Sequence, residues 1–221
     1  MPRSIMSAEP LSRRTLLAAP LLLLAPHLAR GASETGADPG EALARAAAGQ
    51  IGRVTIYDPA YIRLDFPGGD VAPERGVCTD VLIRALREAH GIDLQRAVNR
   101  DMKADFAAYP ASWGLKRPDA NIDHRRVPNL RRLFERLQAD LPPGADPADF
   151  RPGDVVTCTL PGNLAHLMLV AQERSRDGNR PLILHNIGAG TRAEDRLNEF
   201  SMTGHYRLSP AVLEKLRRLD S

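Results

Sequence analysis

The sequence lacks the features that assign many chains to a class at once. Its 221 residues include only two cysteines. They contain no internal repeat, no low-complexity tract, and no close-spaced Cys-x-x-Cys or His-x-x-x-His motif. A repeat architecture and a zinc site built on such a motif therefore have no support.

The first 31 residues predict a secretory signal peptide. Arg13 and Arg14 precede an apolar run at 16–25, and small residues follow it. The run is too short to cross a bilayer as a helix, and the twin arginine is typical of the Tat route. We therefore expect residues 1–31 to be a twin-arginine-type leader. The protein should be periplasmic or otherwise exported, with no membrane attachment after the leader is cleaved.

This leader also accounts for the excess positive charge. The whole chain has a formal net charge of +3, and the leader carries four arginines against one glutamate. Residues 32–221 are therefore neutral overall and give no indication of a nucleic-acid partner. Their number is sufficient for one well-buried domain. We expect a single domain, 32–221, that acts as a monomer.

The first part of this domain has helical patterns joined by segments rich in Pro, Gly and Asp. Asp38 and Pro39 are a typical cap and first helical residue before an alanine-rich stretch. After position 80, apolar residues recur at helical spacing until Gly91, where a helix would end. The predicted helices cover 38–52, 78–91, 92–109 and 127–141.

From residue 154 onward the patterns change to those of strands. Three β-branched or leucine-rich runs are bounded by Pro, Gly and Asp. Asp177–Gly178 predicts a hairpin between the second and the third, and Ser209 with Pro210 begins a final helix. The predicted strands cover 154–160, 164–171, 180–188 and 204–208. Helices followed by antiparallel strands indicate an α+β fold.

Cys78 stands in the first turn of a predicted helix. A thiolate is favoured there because the exposed backbone N–H groups and the helix dipole stabilise negative charge. The same N–H groups can stabilise the oxyanion that forms when sulfur attacks a carbonyl. Cys78 is therefore a candidate nucleophile for acyl transfer.

Two of the six histidines, His166 and His185, lie in apolar strands that the hairpin makes neighbours. Imidazoles are costly to bury without partners, so two of them beside a helix-start cysteine favour a site over core packing. A nearby histidine can hold the pair as thiolate and imidazolium, and a second polar group can orient the ring. We expect Cys78 to be the nucleophile, His166 the general base and then acid, and His185 the orienting partner.

The stretches "FRPGDVVTCTL", "AHLMLVAQ" and "PLILHN" resemble the sheet of NlpC-type cell-wall cysteine peptidases, within the papain-like group. In that family a Pro-Gly-Asp turn opens the first strand, a histidine lies on the next, and a polar residue ends the third. The cysteine begins the preceding helix. The resemblance implies a papain-like fold with N-terminal helices on a small antiparallel sheet, and it favours His185 as the third member.

Four further stretches, "GVCTDVLIRALR", "NIDHRRVPNL", "PGDVV" and "HNIGAG", resemble domain-of-unknown-function family 1287 over nearly the whole of the exported part. That family brings no substrate with it. The chain departs from the NlpC pattern at "VCTD", where those enzymes usually have Asp-Cys-Ser-Gly. It also has a long helical insertion near 92–150, which we expect to reshape the cleft.

Other residues near these motifs are candidates for binding substrate. Arginine suits the recognition of carboxylates through its planar fork, and a solvated helix face is the competing explanation for a cluster of this kind. The candidates are Asp80, Asp123, His124, Arg125 and Asn186. Cys158 lies in an apolar strand and is interpreted as a small core residue.

These observations predict an exported cysteine hydrolase that cleaves an amide bond and has no cofactor. The resemblance to NlpC-type enzymes, together with the predicted export, implies a peptidoglycan stem peptide or another peptide as partner. An acyltransferase stays open. So do a zinc enzyme with Cys78, His166 and His185 as ligands, a non-catalytic cell-wall binding domain, and a disulfide between Cys78 and Cys158.

Overall fold

Helix α1 begins where the sequence predicts it. The computed structural model describes residues 38–142, 144 and 146–221, so the predicted leader lies outside the described residues. α1 spans Pro39–Ala48, and the Asp38 carboxylate accepts a hydrogen bond of 2.8 Å from the Gly40 N–H. This satisfies one of the N–H groups that a helix start leaves without a partner.

α2 and α5 follow the predicted pattern, whereas α1 and α3 end earlier than predicted, at Ala48 and Ala104 instead of near 52 and 109. α2 ends at Gly91, whose φ of 66° is the left-handed conformation that glycine adopts at low cost. Ser209 caps α5 through the Val212 N–H. The bounds are Cys78–His90 for α2, Leu94–Ala104 for α3, Val127–Arg136 for α4 and Pro210–Asp220 for α5. No helix in the described ranges is both long and apolar enough to cross a membrane.

Helix α4 is shorter than predicted. It ends at Arg136, and Gln138 has a left-handed φ of 61°. A helix cannot continue through that conformation. The chain turns instead and enters a two-residue strand that pairs with the sheet.

The predicted antiparallel sheet is confirmed. In the described part of the chain it has six strands, in the order β3-β8-β4-β5-β6-β7. Their bounds are Asp140–Leu141 (β3), Val155–Leu160 (β4), Leu164–Arg174 (β5), Pro181–His185 (β6), Arg192–Glu194 (β7) and Ser201–Tyr206 (β8). Two shorter strands, β1 (Ile56–Tyr57) and β2 (Arg75–Gly76), form a separate parallel pair. The α+β class is therefore confirmed.

The sheet separates two apolar clusters. Leu167 and Leu169 of β5 face the helices and share a cluster with Cys78. Met168 and Val170, which alternate with them, face the other side and share a smaller cluster with Cys158. Successive side chains of a strand point to opposite faces, so α2 and Cys158 lie on opposite sides of the sheet.

Helices α3 and α4 belong to the same core as α2. Leu94, Leu130 and Phe134 are each fully buried and lie in the helix-side cluster. The segment that we expected to be an insertion near 92–150 thus supplies part of the main core. It also carries Arg125, which reaches the start of α2.

Candidate active site

Cys78 is the first residue of α2, and the carboxylate of Asp80 fixes the turn that carries it. Asp80 Oδ2 accepts a hydrogen bond of 2.6 Å from the N–H of Val77, the residue that caps the helix. Negative charge in the first turn also suits the helix dipole. The backbone around the sulfur is therefore held by a side chain two residues away.

Asp80 is in turn held by Arg125. The Nε and Nη2 atoms of Arg125 donate to the two carboxylate oxygens at 3.0 and 2.8 Å. The two side chains are only 2% and 4% exposed. A second Nη2 hydrogen bond, of 3.3 Å, reaches the Asp58 carbonyl. Such a bidentate, buried pair leaves the guanidinium little freedom, so it joins the segment after α3 rigidly to the start of α2.

The sulfur of Cys78 lies against the main chain of β5. Burial raises the pKa of the Cys78 thiol to about 12, whereas the adjacent backbone N–H groups of Leu167 and Thr79 lower it. Leu167 follows His166 directly. The structure therefore brings the sulfur to the strand that carries the predicted base.

The hydrogen bonding of β5 explains why the Leu167 N–H is available. Val170 forms both main-chain hydrogen bonds towards β4, with Gly153 at 2.8 Å and Asp154 at 2.9 Å. Main-chain groups alternate between the two edges of an antiparallel strand, so the Leu167 N–H points to the edge next to β6. β6 pairs with β5 at Leu169 but not at Leu167. The start of α2 occupies the position that β6 leaves open.

His166 and His185 come together, as the hairpin predicted. Their ring centroids are 6.1 Å apart and the ring planes meet at 72°. The ladder pairs His166 with Cys158, which places the ring on the sheet face opposite α2. Among the described residues, no hydrogen bond joins either ring to the Cys78 sulfur. The sulfur lies beside the Leu167 N–H at the edge of β5 that β6 leaves open. Proton transfer between Cys78 and His166 thus stays a prediction, and it requires the ring to reach the sulfur around this edge.

Burial favours the uncharged forms of both groups. It lowers the pKa of His166 to about 3, with a smaller effect from His185, and it raises that of the Cys78 thiol. Desolvation penalises the charged form of each. In the absence of substrate the pair is therefore a neutral thiol and a neutral imidazole. From the helix start alone we expected a thiolate and an imidazolium. Burial overrides that preference, because two backbone N–H groups do not compensate for the lost hydration of the charged forms.

An open cavity of about 190 Å³ gives access to the sulfur. Tyr57, Arg125 and Ala165 are among its lining residues together with Cys78. Burial raises the pKa of Tyr57, so its hydroxyl keeps its proton and can donate a hydrogen bond. Sequence reasoning missed Tyr57, because a tyrosine in a loop rich in Pro and Gly carries no periodic signal.

Four of the five predicted substrate-binding residues do not line this cavity, and one of them, Asp80, is held in the buried pair with Arg125. Asp123 accepts hydrogen bonds from the Asp119 N–H at 2.6 Å and from Arg126 at 2.9 Å. Asn186 donates to the Gly76 carbonyl at 3.1 Å. His124 is buried, and burial lowers its pKa to about 3. These side chains maintain the fold around the site, and a role in binding substrate gets no support for them.

Comparison with known proteins shows the family of the chain. A family model described as "Domain of unknown function (DUF1287)" matches residues 44–208. The chain belongs to the DUF1287 family. It is 52% identical over 166 residues to an Escherichia coli (strain K12) protein named "Uncharacterized protein YijF", which covers 75% of this chain and 80% of that relative. No solved structure matches. The predicted DUF1287 membership is thus confirmed.

Neither cysteine of this DUF1287 chain is in a disulfide. Cys78 and Cys158 lie in clusters on opposite faces of the sheet, so the disulfide left open above is wrong. Cys158 is 1% exposed, which confirms its place in the core. In the described ranges, no three His, Cys, Asp or Glu side chains are close enough to share a metal ion. The zinc site with Cys78, His166 and His185 as ligands therefore gets no support from the described residues.

Proposed function

We propose that this DUF1287 protein is an exported thiol hydrolase that cleaves an amide bond. Cys78 is the nucleophile, His166 the general base and then acid, and His185 the residue that orients His166. The observation that carries the proposal is the position of the sulfur. It lies at the start of α2, against the N–H that follows His166, and at the wall of an open cavity.

The neutral resting pair defines the first step. When the substrate carbonyl approaches, the S–H proton moves to His166 as the sulfur attacks the carbonyl carbon. The carbonyl oxygen becomes an oxyanion, and the Cys78 N–H at the start of α2 is the donor that we propose for it. His166 then gives the proton to the leaving amine as the C–N bond breaks, and a thioester remains on Cys78.

Water completes the cycle. His166 accepts a proton from the water that attacks the thioester, and the thiolate leaves and regains a proton. If another amine takes the place of water, the product is a new amide and the protein is an acyltransferase. The masses of the products distinguish the two outcomes.

We further propose that the architecture is papain-like and of the NlpC type. A helix that starts with the cysteine precedes an antiparallel sheet, and His166 and His185 lie on neighbouring strands of it. This order supports the resemblance seen in the sequence motifs. It also favours peptidoglycan stem peptides as substrates, in keeping with the predicted export. Fold similarity alone does not determine the substrate, so the substrate needs a direct test.

Digestion of purified sacculi and of soluble muropeptides provides that test. We expect the wild type to cut an amide bond in the stem peptide, Cys78→Ala to have no activity, and Cys158→Ala to retain it. Cys158 is the matched control because it is also a buried free thiol, but it packs in the smaller apolar cluster and does not line the cavity that Cys78 lines. Unchanged activity of Cys78→Ala, or an absence of any cleaved amide with folded wild type, would contradict the proposal.

A further inference from the structure

A carboxylate lies behind His185, on the side away from His166. Glu194 Oε2 is 2.9 Å from His185 Nε2. The contact is short but is not aligned as a hydrogen bond. Glu194 ends β7, where it pairs with Ile183, two residues before His185 on β6. Such diagonal neighbours on one sheet face are within reach of long side chains.

The carboxylate of Glu194 is held in place by an arginine. Arg196 Nε lies 3.2 Å from the same Oε2 atom and 3.3 Å from Glu199 Oε2. Glu194 is 31% exposed, whereas the His185 side chain is 2% exposed. The charged groups near His185 are Glu194, Arg196 and Glu199, together with Arg192, its ladder partner on β7, which lies 4.0 Å from Glu194 Oε1. The titratable group facing it from β5 is His166.

Besides His185 Nε2, two ring nitrogens of this histidine pair lack a hydrogen-bond partner among the described residues. His166 Nε2 and His185 Nδ1 are both buried, and no described residue forms a hydrogen bond with either. A buried polar atom without a partner is costly. The rings meet edge to face, 6.1 Å apart between centroids. If one of these two nitrogens carries a proton and the other does not, a small movement of the rings towards each other allows a hydrogen bond between them.

The position of the Glu194 charge decides which nitrogen carries the proton. With the proton on Nε2, the positive end of the N–H group lies beside the negative carboxylate, although the contact is not aligned as a hydrogen bond. With the proton on Nδ1, it would present a lone pair to a carboxylate oxygen 2.9 Å away, which is repulsive. The charge therefore favours the Nε2–H tautomer of His185, which leaves its Nδ1 as an acceptor.

We propose that Glu194 is a positioning residue: it holds His185 as the Nε2–H tautomer, so that His185 Nδ1 accepts a hydrogen bond from His166 Nε2–H. This inference rests on the proposed function for its role in catalysis. His166 Nδ1 is then the unprotonated nitrogen, which is the one that must take the thiol proton. As His166 becomes positive during the reaction, the charge of Glu194 stabilises it through His185.

The tautomers are measurable without any substrate. Imidazole ¹⁵N shifts of the uniformly labelled protein report which nitrogen of each ring is protonated. We expect Nε2–H for both His185 and His166 in the wild type. In Glu194→Ala we expect His185 to change to a mixture or to Nδ1–H. A wild-type His185 protonated at Nδ1, or a tautomer that Glu194→Ala does not alter, would overturn the inference.

Kinetics test the catalytic consequence. For Glu194→Gln we expect kcat to fall on the order of tenfold, as for other residues that orient a functional imidazole, with KM unchanged. Burial lowers the pKa of His185 and the Glu194 carboxylate opposes this effect, so without the carboxylate the acidic limb of the pH profile should move to lower pH. Glu194→Asp should recover part of the rate. Asp195→Asn is the matched control because Asp195 follows Glu194 directly but pairs with Arg180 and not with the His185 ring.

The two experiments separate this inference from the proposed function. If the tautomers are as expected but no stem peptide is cleaved, the positioning by Glu194 stands and the proposed reaction fails. If stem peptides are cleaved and Glu194→Gln has the rate and pH profile of the wild type, the reaction stands and the positioning role fails.

Discussion

The buried pair of Asp80 and Arg125 gives a prediction whose size follows from the structure. In Arg125→Met, the Asp80 carboxylate loses both donors of the guanidinium and keeps only the Val77 N–H. The Asp80 side chain is only 4% exposed, so water cannot replace the lost donors unless the fold opens locally. Removal of one partner of a buried pair typically costs about 3 to 5 kcal/mol, because the other charge remains without compensation. We expect a loss of stability in that range.

The double variant Asp80→Asn/Arg125→Met tests the reasoning more sharply. It removes both charges, and the asparagine oxygen still accepts from the Val77 N–H. The double variant should therefore lose less stability than Arg125→Met alone, since an uncompensated buried charge costs more than a missing pair. The free energies of unfolding are measured in urea for the two single variants and the double variant, at the same pH and salt concentration.

An exposed pair in the same protein is the control. Arg180 and Asp195 approach to 2.6 Å, but their side chains are 33% and 36% exposed. Arg180→Met should cost no more than about 1 kcal/mol. If Arg125→Met costs as little as Arg180→Met, or if the double variant loses the sum of the two single effects, the claim that the buried pair fixes the start of α2 is refuted.

Three further measurements follow from other residues. Both Gly153 and Gly178 have a positive φ, but only at position 153 would a Cβ meet the main chain of α1. Gly178→Ala should therefore lower the free energy of unfolding in urea by roughly 1 kcal/mol, and Gly153→Ala should lower it by clearly more. Burial lowers the pKa of His124 to about 3. The stability that this buried neutral ring contributes is therefore complete above the unfolded-state pKa of 6.5 and is lost as the pH falls towards 3. Between neutral pH and pH 5, the free energy of unfolding of the wild type should fall by about 2 kcal/mol from this effect, at about 1.4 kcal/mol per pH unit. His124→Gln should not show this loss, and equal losses in the two proteins would contradict the reasoning. Alkylation of Cys78 by iodoacetamide should rise with pH up to 9.5 without a plateau, because the pKa of its thiol is about 12, and it should exceed that of Cys158; a plateau below pH 8 would contradict it.

Most elements of the fold could be predicted because their signals are local. Asp38 and Ser209 cap helices at the predicted positions, and Gly91 ends α2. The Asp177–Gly178 turn joins β5 and β6 as expected, with a φ of 72° at the glycine. Each of these depends on the conformational preference of one or two residues, which the surrounding chain does not override.

The site could be predicted only in part, because its geometry depends on contacts between distant segments. Alternation along a strand places His166 and His185 relative to their neighbours, but it does not show which face α2 covers. The Asp80–Arg125 pair joins residues 45 positions apart. No periodic pattern links the two, so both were assigned to substrate instead of to each other.

Glu194 shows the same limit. It belongs to a three-residue strand between irregular segments, and the sequence alone gives no reason to pair that strand with β6. Its role depends on a distance that only the folded chain defines. The pKa directions of Cys78 and His166 were likewise beyond the sequence, since they follow from how completely each side chain is buried.

The most direct test of the account uses a stem-peptide analogue that carries an acyloxymethyl ketone at the scissile carbonyl. Such a group is attacked by the nucleophilic sulfur and leaves a stable thioether, which peptide mapping by mass spectrometry locates. We predict labelling of Cys78 alone, and much slower labelling in His166→Ala with the fold retained. Labelling of Cys158, or a rate that His166→Ala does not change, would contradict the assignment of Cys78 and His166 as nucleophile and base.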